Sequence, residues 1–431
     1  MKQILLTTTY FILSFCLFAH DIQPAQWTKG KGTNERPYLI ETTEHLYYLS
    51  QQVAMGNSFE NVCFILSDNV DLRGNKDNQW TPIGNFTHPF RGHFNGNQFE
   101  IRNLYIDNRL SDYTGFFGCV HSGIIRNLGI SDNSFVSGKN YTGSVVGYQT
   151  GGEIYNCCNK ASVQGENNVG GIVGYQYGTS VYACHNMGDV KGKWHVGGIV
   201  GMGYANTSIA NCCNTGRLQG QNHVGGIAGS LDGYKYKATM KNCYQESIFD
   251  KIGLTGTGIQ LEASDCYYAK VDGMRPCNFG TPVSNNEMLS VFFCAKLDQN
   301  QKIWIQDQPP YVNSGYPVLR SVKYKGVFTN EATDIAQEEA VLSANFVADN
   351  EPILSKGFEY RNENENKFTR IVINSDTFSY RLVDLSPHTR YEFKAFVITE
   401  KGTYTGRNVW FRTLFPQHNH DHDHDHHILP H

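Results

Sequence analysis

The sequence predicts an all-β protein, a right-handed parallel β-helix followed by an antiparallel β-sandwich. Three observations support this fold class. The phrase GGIVG and its variants recur with their last glycine at Gly147, Gly174, Gly201 and Gly229, in steps of 27, 27 and 28 residues. Each copy contains only short apolar runs broken by Gly and Asn, without a helix-periodic stretch. After Leu319 the repeat ends, and short alternating strands separated by turn residues follow.

Residues 1–19 have the pattern of a secretory signal peptide. Lys2 precedes an apolar run from Ile4 to Phe18, and Ala19 offers a cleavage point. This run is shorter than the roughly 20 apolar residues of a spanning helix, and no later stretch approaches that length. We therefore expect an exported protein without a transmembrane helix. A lipid anchor on Cys16 is the competing interpretation, which Phe15 disfavours because lipoprotein processing needs a small side chain there.

The composition and charge argue against a nucleic-acid partner. The chain has 431 residues and a formal net charge of −4, and its Lys and Arg residues are scattered instead of clustered in a basic patch. Its 43 glycines and 13% aromatic residues, against 18% charged residues, are typical of turn-rich β structure.

Residues 41–56, ETTEHLYYLSQQVAMG, predict a helix ahead of the repeats. Thr42 or Thr43 is a candidate N-cap, and Gly56 would end the helix. An open end of a β-helix exposes unpaired backbone, so we expect this helix to cap it. Its apolar stripe would consist of Leu46, Leu49 and Val53.

A second repeated feature is a column of cysteines that follows each glycine phrase. Equivalent residues of a β-helix stack about 4.7–4.9 Å apart, so seven rungs would form a rod roughly 30 Å long. We expect the column to face the interior, where cysteine acts as a small hydrophobe, and its thiols to be mostly free. In the vicinal pairs that begin at Cys157 and Cys212, the second cysteine should point outward. The predicted column is Leu104, Leu128, Cys157, Cys184, Cys212, Cys243 and Cys266.

The repeated phrases resemble the GLUG-type repeats of bacterial secreted and cell-surface proteins. The resemblance is carried by F-x-G-x-F-N-G from Phe90 to Gly96, by GGIVG and by N-C-x-N-x-G. The segments at 32–72, 80–84 and 307–319 resemble the flanks of that family, so the resemblance covers residues 28–320. It implies architecture and location more than activity. This chain departs from the family at Asn95 and Gln98, where the family commonly has Asp and Gly.

Residues 326–414 predict the β-sandwich. Alternating segments such as FSYRL and YEFKAFV are separated by Asn, Pro and Gly turn signals. The segment LSPHTRYEF, from Leu385 to Phe393, resembles the fibronectin type III motif. That resemblance implies a buried corner hydrogen bond from Tyr391 and the usual role of such modules as spacers or binding platforms.

The C-terminal residues 416–431 form a histidine-rich tail. Alternating imidazoles and carboxylates offer ligands for zinc or another divalent metal, whereas a solvated terminus without ligand geometry is the alternative. We expect no cofactor to be required elsewhere. The candidate ligands are His418, His420, His422, His424, His426 and His427.

The repeat region does not predict a catalytic pair. β-Helix enzymes that act on polysaccharides need paired carboxylates or a base with acidic metal ligands. His195 and His223 occupy equivalent positions and could share a metal, although turn histidines are more often simply exposed. The acidic residues between 141 and 245 occupy unrelated repeat positions: Glu153, Glu166, Asp189 and Asp232.

Aromatic residues give the candidate binding site. Tyr148 and Tyr175 directly follow the repeated glycine, and Tyr204 lies three residues beyond it. Tyr234 lies five residues beyond it, while Tyr141 and Trp194 fall near the other turn. Tyrosine and tryptophan supply rigid contact area with a polar tip, which suits recognition of sugars or proteins. The alternative is that these rings only cover the exterior of the coils.

These features predict a non-enzymatic, exported and adhesin-like cell-surface protein. It would be a monomer that binds a glycan, or a host or matrix protein, by summing weak contacts along the repetitive β-helix face. The alternative is a polysaccharide-active β-helix enzyme, a lyase or hydrolase, with an accessory β-sandwich.

Overall fold

A computed structural model describes residues 22–246, 253–271, 279–308, 311–324, 326–347, 352–400 and 402–415. The predicted signal peptide, Cys16 and the histidine-rich tail lie outside these described residues. The predictions made for them therefore stay predictions.

The first part of the chain is the expected parallel β-helix, in which each complete coil contributes five short strands. We number the five stacks of parallel strands as ladders 1 to 5, in the order in which the chain meets them. Ladder 1 contains Asn140–Gly143, Asn167–Gly170, Trp194–Gly197 and Asn222–Gly225. Ladder 2 contains Phe117–His121, Val146–Thr150, Val173–Tyr177, Val200–Tyr204, Ala228–Asp232 and Thr255–Ile259. Ladder 5 contains Tyr105–Asp107, Phe135–Ser137, Ser162–Gln164, Val190–Lys191 and Leu218–Gln219.

Ladders 3 and 4 belong to one sheet, because the strands His93–Arg102 and Ile124–Ile130 run through both. Ladder 3 is nine strands deep, which corresponds to a rod about 38 Å long. Its other strands are Tyr38–Ile40, Cys63–Leu66, Glu153–Tyr155, Ser180–Tyr182, Ser208–Ala210, Ala238–Lys241 and Leu261–Ser264. The other strands of ladder 4 are Val70–Asp71, Cys158–Asn159, His185–Asn186, Cys213–Asn214, Tyr244–Gln245, Tyr267–Ala269 and Thr281–Val283.

The predicted interior column is confirmed from Leu128 onward. Strand register aligns Leu128 with Cys157 and then with the four later cysteines of the column. These side chains are at most 2% exposed, and the five thiols are free. Each thiol also donates to a backbone carbonyl two residues earlier, at 3.1–3.4 Å. Cysteine therefore fills the column as a small buried side chain.

Leu104 is a correction to this column. Phe99 is the residue that pairs in register with Leu128. Leu104 is buried elsewhere, just before the first strand of ladder 5, where its N–H donates to Ser134 Oγ. The reason is the length of this coil: Phe99 and Leu128 are 29 residues apart (128 − 99), whereas the two IRNL motifs place Leu104 and Leu128 only 24 residues apart (128 − 104).

The repeated glycines are required by close backbone approach where ladder 2 passes ladder 1 of the preceding coil. A Cβ on Gly201 would lie 2.4 Å from the carbonyl carbon of Asn168 and 2.5 Å from the carbonyl oxygen of Gly174. The residue at the position of Asn168 has a left-handed backbone in every copy, with φ between 51° and 55°. The phrase is thus a corner of the coil, where a side chain on the last glycine would separate two rungs.

The predicted N-terminal cap is confirmed by the helix Thr43–Ala54. Thr42 is its N-cap and accepts a hydrogen bond from the N–H of His45, while Gly56 follows the helix with φ of 100°. The predicted apolar stripe is completely buried in the main core. The helix therefore covers the end of the apolar interior that the first coil would otherwise expose.

A closing segment, residues 279–324, covers the outward face of ladder 4. It contains the helices Asn285–Met288 and Val291–Asp298 and an antiparallel pair, Trp304–Ile305 with Val318–Leu319. Phe293 and Trp304 pack against Tyr244, which has no exposed surface. Cys158 and Cys213 face this second core, so both members of each vicinal pair are buried, although only one faces the coil interior.

Residues 326–415 form the expected β-sandwich. Tyr391 is buried, and its hydroxyl accepts a hydrogen bond from the N–H of Ser386 at 2.8 Å, as the fibronectin type III resemblance implies. One sheet contains Gly326–Thr329, Ala340–Val347 and Ser379–Leu382. The other contains Ile353–Asn362, Thr369–Val372, Arg390–Thr399, Gly402–Thr405 and Val409–Arg412.

The sandwich is docked against the β-helix through cations. On the β-helix, Lys160 Nζ lies 2.8 Å from Glu100 Oε1. The same ammonium lies 5.3 Å from the ring centroid of Phe328, which belongs to the sandwich. From the sandwich, Arg407 donates to the carbonyl oxygen of Thr215 at 3.2 Å. Lys160 and Glu100 both belong to the β-helix, and each side chain is about 10% exposed where Phe328 of the sandwich lies over the ammonium.

We predict that Gly201→Ala lowers the free energy of unfolding by about 3 kcal/mol, because its Cβ would press on backbone atoms of two neighbouring rungs. Gly178→Ala is the control, since Gly178 has a φ of 57° but no atom within 4 Å of the added Cβ. It should lose only about 1 kcal/mol. Urea unfolding followed by circular dichroism measures both, and equal losses would contradict the close-approach argument.

A second prediction concerns Asp132, beside Lys160 and Glu100. Burial raises the pKa of this carboxyl from 3.8 to about 6, although the Lys160 charge partly opposes the shift. The folded protein thus holds the proton more tightly, and stability falls as pH rises from about 4 to about 6. Relative to Asp132→Asn, which cannot ionise, the wild type should lose at most about 3 kcal/mol over that interval. A pH-independent difference in urea unfolding would contradict this assignment.

Candidate functional site

The candidate site is a row of aromatic side chains on the outward face of ladder 2 and on the adjoining corner with ladder 1. We call it the aromatic strip. In the three ladder 2 strands from Val146–Thr150 to Val200–Tyr204, the third and fifth residues are partly or fully exposed, whereas the first, second and fourth are buried. The strip consists of Phe86, Tyr113, Tyr141, Tyr148, Tyr175, Tyr177, Tyr204 and Tyr234.

The register of the coils builds the first half of the strip. Tyr148 and Tyr175 are register partners in ladder 2, and their rings stack with centroids 5.2 Å apart and planes 3° apart. Tyr113 and Tyr141 stack in the same way at 5.1 Å. Tyr141 also meets the edges of Tyr148 and Tyr175, at 5.7 and 5.5 Å. The left-handed backbone at Tyr113 and Tyr141 belongs to the same coil corner as the repeated glycines.

The second half of the strip follows a neighbouring column of ladder 2. Tyr177 pairs in register with Tyr204, with ring centroids 5.8 Å apart, and Tyr204 stacks on Tyr234 at 5.4 Å. Tyr175 and Tyr177 are two residues apart on one strand and therefore lie on the same face. The two halves thus form one surface that crosses five coils.

The structure separates the four predicted site residues into three places. Tyr148 and Tyr175 share a column, as their spacing suggests. Tyr204 lies one column away, because Met202 is the register partner of Tyr175. Trp194 lies in ladder 1, is 44% exposed and contacts the His223 ring edge-on at 5.9 Å. This ring contact joins Trp194 to a histidine of ladder 1 and not to a tyrosine of the strip.

Sequence reasoning missed three members of the strip. Phe86 and Tyr113 precede the glycine phrases, while Tyr177 follows one of them at a spacing different from that of Tyr175. The available signal for Tyr177 was its alternation with Tyr175 along one strand. Phe86 has no such signal, because a loop places it against Tyr113, with ring centroids 5.4 Å apart.

The strip exposes ring edges and hydroxyls along its length and ring faces mainly at its ends. Stacked neighbours cover the faces of the middle rings, whereas Phe86 is 65% and Tyr234 50% exposed. Burial, and then the neighbouring Cys119, Tyr141 and Tyr177, raise the pKa of Tyr148. Burial likewise raises the pKa of Tyr175. Both phenols therefore stay protonated at neutral pH and can donate hydrogen bonds.

The predicted histidine pair is stacked. The rings of His195 and His223 lie 4.9 Å apart with planes 16° apart, and His195 Nδ1 lies 3.0 Å from Asn168 Oδ1. Burial lowers the pKa of His195, with a smaller effect from the charge of His223. Within the described ranges there is no group of three or more His, Cys, Asp or Glu side chains placed to hold a metal ion. All six histidines proposed as metal ligands lie in the undescribed tail.

Comparison with known proteins gives partial likenesses. No family model matches the chain. Over 140 residues, or 30% of the chain, it is 31% identical to a protein of Evansella cellulosilytica whose name describes a Gly-rich membrane protein. Over 131 residues, or 28% of the chain, it is 30% identical to halomucin of Haloquadratum walsbyi. The matched parts span only 16% and 1% of those two proteins.

Solved structures with local similarity include a sensor domain and a fibronectin type III domain. The sensor domain of the anti-sigma factor RsgI4 in Pseudobacteroides cellulosolvens is 21% identical, with a TM-score of 0.18 over 21% of this chain and 94% of that chain. A human fibronectin type III domain is 15% identical, with a TM-score of 0.20 over 21% of this chain and 80% of that chain. In the part of the chain that the structure describes, no helix is long and apolar enough to cross a membrane.

Proposed function

We propose that this protein is an exported, non-enzymatic surface protein of the GLUG-repeat type that binds an extended glycan along the aromatic strip. The observation that carries the proposal is the regular row of tyrosines, whose neighbouring rings lie 5.1–5.8 Å apart over successive coils. A ligand that itself repeats can make an equivalent contact at each rung.

The regular spacing favours a glycan over a folded protein as the partner. The spacing of the rings is close to the length of one sugar residue in an extended chain, whereas a globular protein surface has no such period. The phenol hydroxyls can donate to sugar hydroxyls, and the ring edges can contact the apolar C–H groups of the sugars. Several weak contacts on one rigid surface then add up to useful affinity.

We predict that the double substitution Tyr148→Ala and Tyr175→Ala weakens retention by a bound polysaccharide at least ten-fold, because it removes the centre of the strip. Affinity electrophoresis in gels containing soluble xylan, mannan, a cellulose derivative, pectin or alginate measures the effect. The matched control is Tyr155→Ala with Tyr182→Ala. These two rings also stack, 4.7 Å apart, but they belong to ladder 3.

The outcome separates the candidate functions. The proposal is supported if a polysaccharide retains the wild type and the control variant but not the strip variant. It is contradicted if no polysaccharide retains the wild type, or if both variants lose retention equally. Release of reducing ends or of unsaturated products from any of these polymers would show the polysaccharide-active enzyme instead.

A further inference from the structure

A groove opens at the Phe86 end of the aromatic strip. It has a volume of about 470 Å³ and lies between the loops at 76–85 and 106–114. Tyr113 belongs to both the strip and the groove wall, so the two surfaces are continuous. Phe86 and Leu110, which are 65% and 88% exposed, belong to the loops on its two sides. A chain that lies along the strip therefore meets the groove where the stacked rings end.

The groove wall carries the chemistry that recognises sugar hydroxyls. Hydroxyl groups both donate and accept, and carboxylate and amide side chains together match them. Trp80, Pro82 and Ile106 add apolar atoms to the lining of the groove. Such a mixture of a few apolar atoms and convergent polar groups is typical of small-ligand sites. The polar wall residues are Asp77, Gln79, Asn85, Asp107, Asn108 and Asp112.

Part of this wall is held in place before any ligand binds. Gln79 Oε1 accepts a hydrogen bond from the Asp107 N–H at 2.8 Å, which ties the two loops together. Asp112 Oδ1 accepts from Asn140 Nδ2, also at 2.8 Å, which fixes it to the next coil. Because these side chains are already oriented, a ligand would not need to order them on binding.

The charge of the groove selects among sugars. Three carboxylates line it, those of Asp77, Asp107 and Asp112, against the single ammonium of Lys76. Arg109 Nε lies 3.2 Å from Asp107 Oδ1 and offsets part of that charge, although the Arg109 side chain is 71% exposed. A wall with excess negative charge disfavours uronic acids and sulfated sugars through repulsion.

We infer that the groove is a subsite that takes the end or a branch of the glycan and selects uncharged sugars over acidic ones. This inference rests on the proposed function, since it assigns the groove to the same ligand as the strip.

Short oligosaccharides test the groove apart from the strip. Titration calorimetry of the mature chain with xylo-, manno- and cello-tetrasaccharides, and with tetramers of galacturonate and mannuronate, gives the affinities. Asp77→Ala with Asn108→Ala removes two exposed wall groups, and Asn108→Trp fills the groove. We expect a neutral tetrasaccharide to bind, each groove variant to weaken its binding at least five-fold, and the ladder 3 control Tyr155→Ala with Tyr182→Ala to change it less than two-fold.

Several results would overturn the inference: no tetrasaccharide binds, the groove variants bind as the wild type does, or the uronate tetramers bind equally well.

The failure of the two proposals can be told apart. Strip-dependent retention of a polymer without tetrasaccharide binding refutes the groove and leaves the proposed function. If the groove variants weaken tetrasaccharide binding but the polymer still retains the strip variant, the strip is refuted as the binding surface and the groove proposal stands.

Discussion

No coil of this protein can bury its own apolar side chains, so each coil depends on the one stacked above and below it. That single constraint fixes the register. Val146, Val173 and Val200 lie one above another in ladder 2, and the interior cysteines follow the same rule in the sheet of ladders 3 and 4. The repeated glycines allow the backbones of neighbouring rungs to approach closely at the coil corners, while the core side chains are buried.

The register that builds the core also builds the surface. Side chains alternate along a strand, so residues that stack inside are flanked by residues that stack outside. In ladder 2 this places Tyr148 directly beside Tyr175, and in ladder 4 it aligns Cys158 with His185 and Cys213. One outward column forms the candidate binding strip and the other becomes a second core, although both arise from the same alternation.

The β-sandwich is more than a spacer in this structure. Its resemblance to fibronectin type III modules implies a separate unit, yet it is attached to the β-helix by the buried Lys160 and by Arg407, which reaches the backbone of ladder 4 at Thr215.

The sequence by itself determined the repeat, the coil corner, the capping helix and the interior column from Leu128 to Cys266, because these features depend on local pattern and on a fixed period. It misplaced Leu104, since the two IRNL motifs are 24 residues apart (128 − 104), whereas the register partners of these two coils are 29 to 31 residues apart (128 − 99 and 124 − 93). Only the tertiary structure decided which outward face stays open. The closing segment, remote in sequence, buries Tyr244 and leaves Tyr175 accessible, and a loop outside the repeat brings Phe86 to the strip. Such contacts between distant segments depend on packing, which no single repeat encodes.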